Sequence, residues 1–280
     1  MTRVYVSGSF DNLRSRDFRF LEEAAKLGDL CVQLWDDETC RRANPGAALK
    51  FPLAERLYVV QAVRFVQRVV VLGLSAAPGE PADPDSLDMV DGGLAIWAVE
   101  EAQDTPQKRA FAAAQGLAYH LISPAELAGF PPASASEAAL PAHPGKKIIV
   151  TGCYDWLHSG HVRFFEEVSA LGALIVAVGH DANIRLLKGE GHPLFPQDER
   201  LYMVQSIRSV HTALLTTGSG WMDAAPEIER LKPDAYAVNE DGDKPEKRAF
   251  CAEHGLEYIV LTRTPKPGLP KRQSTDLRGF

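Results

Sequence analysis

Short apolar runs rich in β-branched residues alternate along the chain with segments whose apolar positions fall at helical spacing. In KKIIVTG (146–152) and ALIVAVG (173–179) the run closes on glycine, while HVRFFEEVSALG between them repeats its apolar residues every three or four positions. That pattern predicts a βαβ unit. The same reading continues with a helix over about 197–208, a strand over 210–216, a helix over 223–231, a strand over 234–238, a helix over 245–254 and a strand over 256–261. Strands apolar on both faces and separated by helices imply an α/β fold, a parallel sheet with helices on both sides. Ligands of such sheets gather at the carboxyl ends of the strands.

The pattern occurs twice. With Gly8 set against Gly152, an offset of 144, residues 8–30 and 152–174 agree at 11 of 23 positions. FPLAERLYVVQAVR (51–64) and FPQDERLYMVQSIR (195–208) agree at nine of 14. A five-residue slip then pairs DTPQKRAFAAAQGLAY (104–119) with DKPEKRAFCAEHGLEY (243–258). Between the copies lies a stretch rich in Ala, Pro and Ser without apolar periodicity. The expected organisation is two tandem Rossmann-like domains, 1–130 and 146–280, joined by a linker over 131–145. The repeat is too long for a solenoid unit. The two copies are expected to pair as an intramolecular pseudo-dimer, with further homo-oligomerisation left open.

Composition narrows the partners. The 280 residues are 45% hydrophobic, enough to fill such cores, and carry a net charge of −7. That balance argues against binding nucleic acid or an anionic membrane non-specifically and favours a small ligand. Cys31, Cys40, Cys153 and Cys251 form no CxxC pair and no zinc spacing, so buried reduced thiols are expected. With no signal-like start and no long apolar run, the expected location is the cytoplasm.

The candidate chemistry sits in GCYDWLHSGH (152–161), at the predicted turn from strand to helix. Unpaired N–H groups and the helix dipole favour an anion there, and phosphate is the natural guest. Gly160 would let the main chain come close to it. His158 and His161 would donate hydrogen bonds to its oxygens, with more force if protonated. Two histidines three apart could instead bind a metal, but no third ligand lies nearby in sequence. Near the end, LPKRQSTDLRGF (269–280) places Ser274 and Thr275 at a possible helix start with Lys271, Arg272 and Arg278 around them, a second anion site or a plain cap with a basic tail. Asp155 is expected to fix the turn. Asn239, Glu240 and Asp241 follow a strand toward the histidines' edge and would read base or acceptor.

These residues resemble a known family. GCYDWLHSGH matches the HxGH signature of the nucleotidyltransferase superfamily that includes the cytidylyltransferases, and RQSTDLR resembles its closing SSTxxR-like motif with Gln273 in place of the first serine. RLLKGEG (185–191) is similar to the lysine-glycine loop of phosphoethanolamine and heptose-phosphate nucleotidyltransferases. The resemblance implies transfer of a nucleotidyl group from a nucleoside triphosphate to a phosphorylated alcohol, polyol or sugar, with release of pyrophosphate. It implies that His158, His161 and Lys188 are catalytic. Gly152, Cys153, Tyr154, Gly160, Asn239, Arg272, Ser274, Thr275 and Arg278 would bind the nucleotide. Mg²⁺ would arrive with the triphosphate, the protein itself holding no metal site. CTP is expected ahead of ATP. An adenylyltransferase of the same mechanism and a nucleotide-binding sensor without turnover are the other readings.

The first copy has Arg14, Arg16 and Asp17 in place of His158, Gly160 and His161, and Asn44 in place of Lys188. A long side chain and a negative charge then stand where phosphate should lie, so this copy is expected to keep the fold and lack the chemistry.

Overall fold

The computed structural model describes residues 2–46, 48–73, 95–131 and 145–272. It divides into two compact units, Met1–Gly129 and Phe130–Phe280.

In the first unit β1 (Arg3–Gly8), β2 (Asp29–Trp35), β3 (Arg68–Leu72), β4 (Ala95–Glu100) and β5 (Ala118–Ile122) form one parallel sheet in the order β3-β2-β1-β4-β5. Its helices are α1 (Ser15–Ala25), α2 (Asp37–Ala43), α3 (Leu53–Ala62) and α4 (Pro106–Ala114). The second unit repeats the plan. Its strands are β6 (Lys147–Gly152), β7 (Ala173–Val178), β8 (Thr212–Leu215), β9 (Ala235–Asn239) and β10 (Glu257–Leu261), in the parallel order β10-β9-β6-β7-β8. Among the described residues its helices are α5 (Ser159–Ser169), α6 (Asp181–Lys188), α7 (Gln197–Gln205), α8 (Ala225–Leu231) and α9 (Pro245–Glu253). The expected α/β architecture with two Rossmann-like sheets is the observed one.

Both units are stabilised by the same contacts. On one sheet face Ile149, Ile175, Tyr236 and Val238 pack with Ile228 of α8 and Cys251 of α9, and Tyr5, Cys31, Trp97 and Ala112 repeat part of that cluster in the first unit. Gly172 is required between α5 and β7, because a Cβ there would lie 2.2 Å from the Lys146 carbonyl oxygen; Gly28 stands equally close to Thr2. The fully buried Arg200 donates to the carbonyls of Phe195 (2.9 Å) and Cys153 (2.7 Å) and to Asp181 Oδ1 (2.7 Å). Arg56 makes the corresponding bonds to Phe51, Ser9 and Asp37 at 3.1, 2.6 and 2.6 Å. A buried guanidinium is tolerated only with its donors satisfied, and here they join three segments at the carboxyl edge of each sheet.

Cys31, Cys40 and Cys251 are buried free thiols, as expected, whereas Cys153 is partly exposed at that edge. No helix among the described residues is long and apolar enough to cross a membrane.

Candidate active site

β6 is the central strand of the second sheet, and the chain leaves it toward β7 on one side and reaches β9 on the other. This reversal opens a crevice beyond the carboxyl ends of β6 and β9, where ligands of open α/β sheets bind. Residues 152–161 fill its floor. Tyr154 takes a left-handed backbone (φ 55°) and folds its buried ring back over Gly152, where a Cβ would lie 2.6 Å from Tyr154 Cζ. The same ring packs edge-on against His161 at 5.3 Å and against Phe165 of α5. Asp155 accepts from the Leu194 and Phe195 N–H groups at 2.8 to 2.9 Å, fixing the turn as expected from its place in the motif.

His158 caps α5. Its Nδ1 accepts from the Gly160 N–H at 3.1 Å, which assigns the ring proton to Nε2 and leaves Nε2–H as its donor. The His161 ring stacks on it with centroids 4.0 Å apart. Burial, helped by His161, Arg263 and Arg272, holds His158 well below the usual histidine range. Burial, with the Arg263 charge next, pushes His161 down to about 3, against the opposing effect of a Trp156 backbone hydrogen bond. Both rings are therefore neutral near pH 7, so the fold does not supply the stronger donation that protonation would give. Among the described residues His161 Nδ1 is buried without a hydrogen-bond partner.

Gly160 has a different use from the one expected. Its N–H is taken by His158, and a Cβ would lie 2.9 Å from His158 Cε1 and 3.3 Å from the Arg272 carbonyl oxygen. The missing side chain makes room for the histidine and for the returning chain.

The segment after β10 closes over α5 and lines a small pocket with Gly160, Phe164, Asn239, Arg263, Lys271 and Arg272. Arg263 pairs with Asp241 and donates to the Arg272 carbonyl at 2.8 Å. Lys271 lies 3.6 Å from Glu240. Lys188 closes α6 rather than lying in a loop, because Gly189 (φ 86°) ends the helix there. Its charge reaches both Cys153 and His161. Gly152, Cys153, Tyr154, His158, Gly160, His161, Lys188, Asn239 and Arg272 thus gather at one edge of one sheet. Ser274, Thr275 and Arg278 lie outside the described residues. Arg263 falls outside the motifs read in the sequence.

The first unit fills the equivalent place with its own charges. Arg16 donates to Glu100 Oε2 from Nε at 3.0 Å and from Nη2 at 2.7 Å. Asp17 accepts from the Arg14 N–H at 2.7 Å, and burial raises its pKa above the usual carboxylate value. Asn44, at the place of Lys188, ends α2 and brings no charge.

A parallel sheet with this switch point, and a neutral histidine pair locked over a glycine at a helix start, define a nucleotide-binding α/β domain. Residues 149–264 match the family model for cytidylyltransferase-like proteins, and this segment is a cytidylyltransferase-like domain of the HxGH nucleotidyltransferase superfamily. The chain is 36% identical over 97 residues to an FAD synthase of Ferroglobus placidus, covering 34% of this chain and 60% of that protein. It is 32% identical over 177 residues to the bifunctional protein HldE of Methylococcus capsulatus, covering 62% of this chain and 36% of that one. The chain therefore spans less than two thirds of these relatives. A solved structure of a lipopolysaccharide core biosynthesis protein from Thermoplasma volcanium matches 43% of this chain and 98% of its own, at 24% identity and a TM-score of 0.37.

Proposed function

We propose that the second unit transfers a nucleotidyl group from a nucleoside triphosphate to a phosphorylated small molecule. A phosphate oxygen of the acceptor attacks the α-phosphorus, the bond to the bridging oxygen of the β-phosphate breaks, and pyrophosphate leaves. The observation that carries this reading is the His158–His161 stack over Gly160, with Arg263, Arg272 and Lys188 around it. A phosphate monoester has a second pKa of about 6, so the attacking oxygen is ionised at neutral pH and no general base is needed. Neutral histidines suit that requirement: they donate hydrogen bonds to the charge developing on phosphorus without removing a proton. The cations balance the triphosphate, and oriented donors in a buried site are effective because they need little reorganisation.

Mg²⁺ would be held by phosphate oxygens and water. Among the described residues no group of three or more His, Cys, Asp or Glu side chains is placed to hold an ion. When bound, it would neutralise charge on the leaving pyrophosphate.

ATP is the donor we favour, ahead of the CTP expected from motif likeness. FAD synthase and HldE, the latter associated with ADP-heptose synthesis, support an adenylyl donor. Calorimetric titration with ATP and CTP in the presence of Mg²⁺, followed by pyrophosphate release with a panel of sugar, polyol and alcohol phosphates, tests both levels. Tenfold tighter binding of CTP reverses the donor. Binding with no pyrophosphate release from any acceptor supports a sensor instead.

A further inference from the structure

The two copies also differ on a sheet face that the histidine turn does not use. In the second unit Ile149, Ile175, Ala177 and Leu214 stand together there, and Met222, Ala224 and Ile228 pack with them. At the offset of 144 the first unit has Tyr5, Cys31, Gln33 and Val70, which the strand register also places side by side. An alanine in one copy is a glutamine in the other.

That glutamine lines a cavity of about 250 Å³ in the first unit, together with Arg3, Tyr5, Asp29, Gln67 and Arg68. Arg3, Asp29 and Arg68 are the first residues of β1, β2 and β3, so the cavity lies toward the amino ends of the strands. The Arg16–Glu100 pair stands at the opposite end, where β4 closes on Glu100. Gln33 is 2% exposed, and among the described residues its Oε1 has no hydrogen-bond partner. A buried amide oxygen without a donor is unfavourable. Ala177 in the second copy shows that the fold itself needs no polar group at this position, so the donor that Gln33 lacks points to a ligand.

We propose that this cavity binds a small polyhydroxylated molecule, a monosaccharide or polyol, with one hydroxyl donating to Gln33 Oε1. The site is separate from the nucleotide crevice, which belongs to the other unit. Hydroxyls both donate and accept. That matches a lining in which the Gln33 oxygen and the Asp29 carboxylate accept while Arg3 and Arg68 donate. Gln67, whose Oε1 accepts from the Leu30 N–H at 3.3 Å, brings amide N–H donors as well. An apolar molecule would leave Gln33 unpaired, and an ionised carboxylate offers acceptors only. The volume falls below the roughly 300–1,000 Å³ of pockets for drug-sized ligands, which suits a single sugar ring or a shorter polyol.

Calorimetry on the full chain with glucose, ribose, ribitol and glycerol, and with their phosphate esters, tests the site. At least one of these should bind wild-type protein. Gln33→Met, similar in size but without the amide oxygen, should weaken that binding roughly tenfold, the size expected when one buried hydrogen bond is lost. His158→Ala, which alters the other unit, should leave it unchanged. Tighter binding of an ester, with the same response to the two variants, identifies the phosphorylated form as the occupant. Without ligand, Gln33→Met should be at least as stable in urea as wild type, because it removes an unpaired acceptor. The inference is overturned if none of the compounds binds, if those that bind do so equally well in Gln33→Met, or if their binding is lost in His158→Ala instead. A loss of stability in unliganded Gln33→Met also overturns it, since Oε1 would then have its partner within the chain.

Discussion

His158 accepts a hydrogen bond from the Gly160 backbone at 3.1 Å, so the contact that caps α5 also orients the imidazole. The glycine serves this pair, because any Cβ at 160 would meet the His158 ring at 2.9 to 3.0 Å. Gly160→Ala should therefore tilt or displace the ring and lower turnover by about 100-fold, the scale of losing one oriented donor. Circular dichroism should show the fold retained. Turnover within a factor of two of wild type would mean that the ring orientation is unimportant.

The histidine pair also predicts how the protein responds to acid. In the unfolded chain both residues titrate near 6.5, whereas in the folded protein His161 stays neutral down to about 3 and His158 well below 6.5. Between those values the unfolded state binds more protons than the folded state. The stability gained from holding the rings neutral is complete above pH 6.5 and is lost progressively as pH falls toward 3. Urea midpoints measured at pH 7.5 and pH 5 should fall in that direction, and His161→Gln should flatten the dependence. An unchanged slope in that variant would assign acid sensitivity to other groups.

The buried arginines give a matched pair of tests. Arg200→Met strands Asp181 and frees the Cys153 and Phe195 carbonyls, and Arg56→Met does the same to Asp37, Ser9 and Phe51. Each should cost its own unit about 1–3 kcal/mol, from carbonyls left without a donor, because Asp37 and Asp181 are a third exposed and water can solvate them. Nucleotide affinity, read by calorimetry on folded protein, should weaken only for Arg200→Met, since that clamp holds the turn carrying the histidines. Equal losses of affinity would contradict the assignment of the site to the second unit.

These arginines also indicate what could be read without a structure. Arg56 and Arg200 fall in FPxxERLYxVQ, whose repetition at an offset of 144 gave the duplication, and Asp104 and Asp243 pair with Arg109 and Arg248 across the five-residue slip. The strands of the second unit lie within a residue or two of their expected places, most closely β6 and β7, whose apolar runs are buried on both faces and end sharply at glycine. The site was legible where it depends on local sequence: His158, Gly160 and His161 share one turn. It was not legible where it depends on chain return. Arg263 is some hundred positions from His161 and carries no periodic signal. The shift of Lys188 from a loop to the end of α6 depends on Gly189 adopting a positive φ. The burial that lowers both histidines is a property of packing, and nothing in the ten-residue motif reports it.

On the proposed function, nucleotidyl transfer belongs to the second unit and is lost in the first. Steady-state pyrophosphate release, measured for His158→Ala and Arg14→Ala with the preferred triphosphate and acceptor, tests it most directly. The expected result is a loss of roughly 100- to 1,000-fold for His158→Ala and a rate close to wild type for Arg14→Ala. Abolished release in a folded Arg14→Ala protein, or undiminished release in His158→Ala, would contradict it.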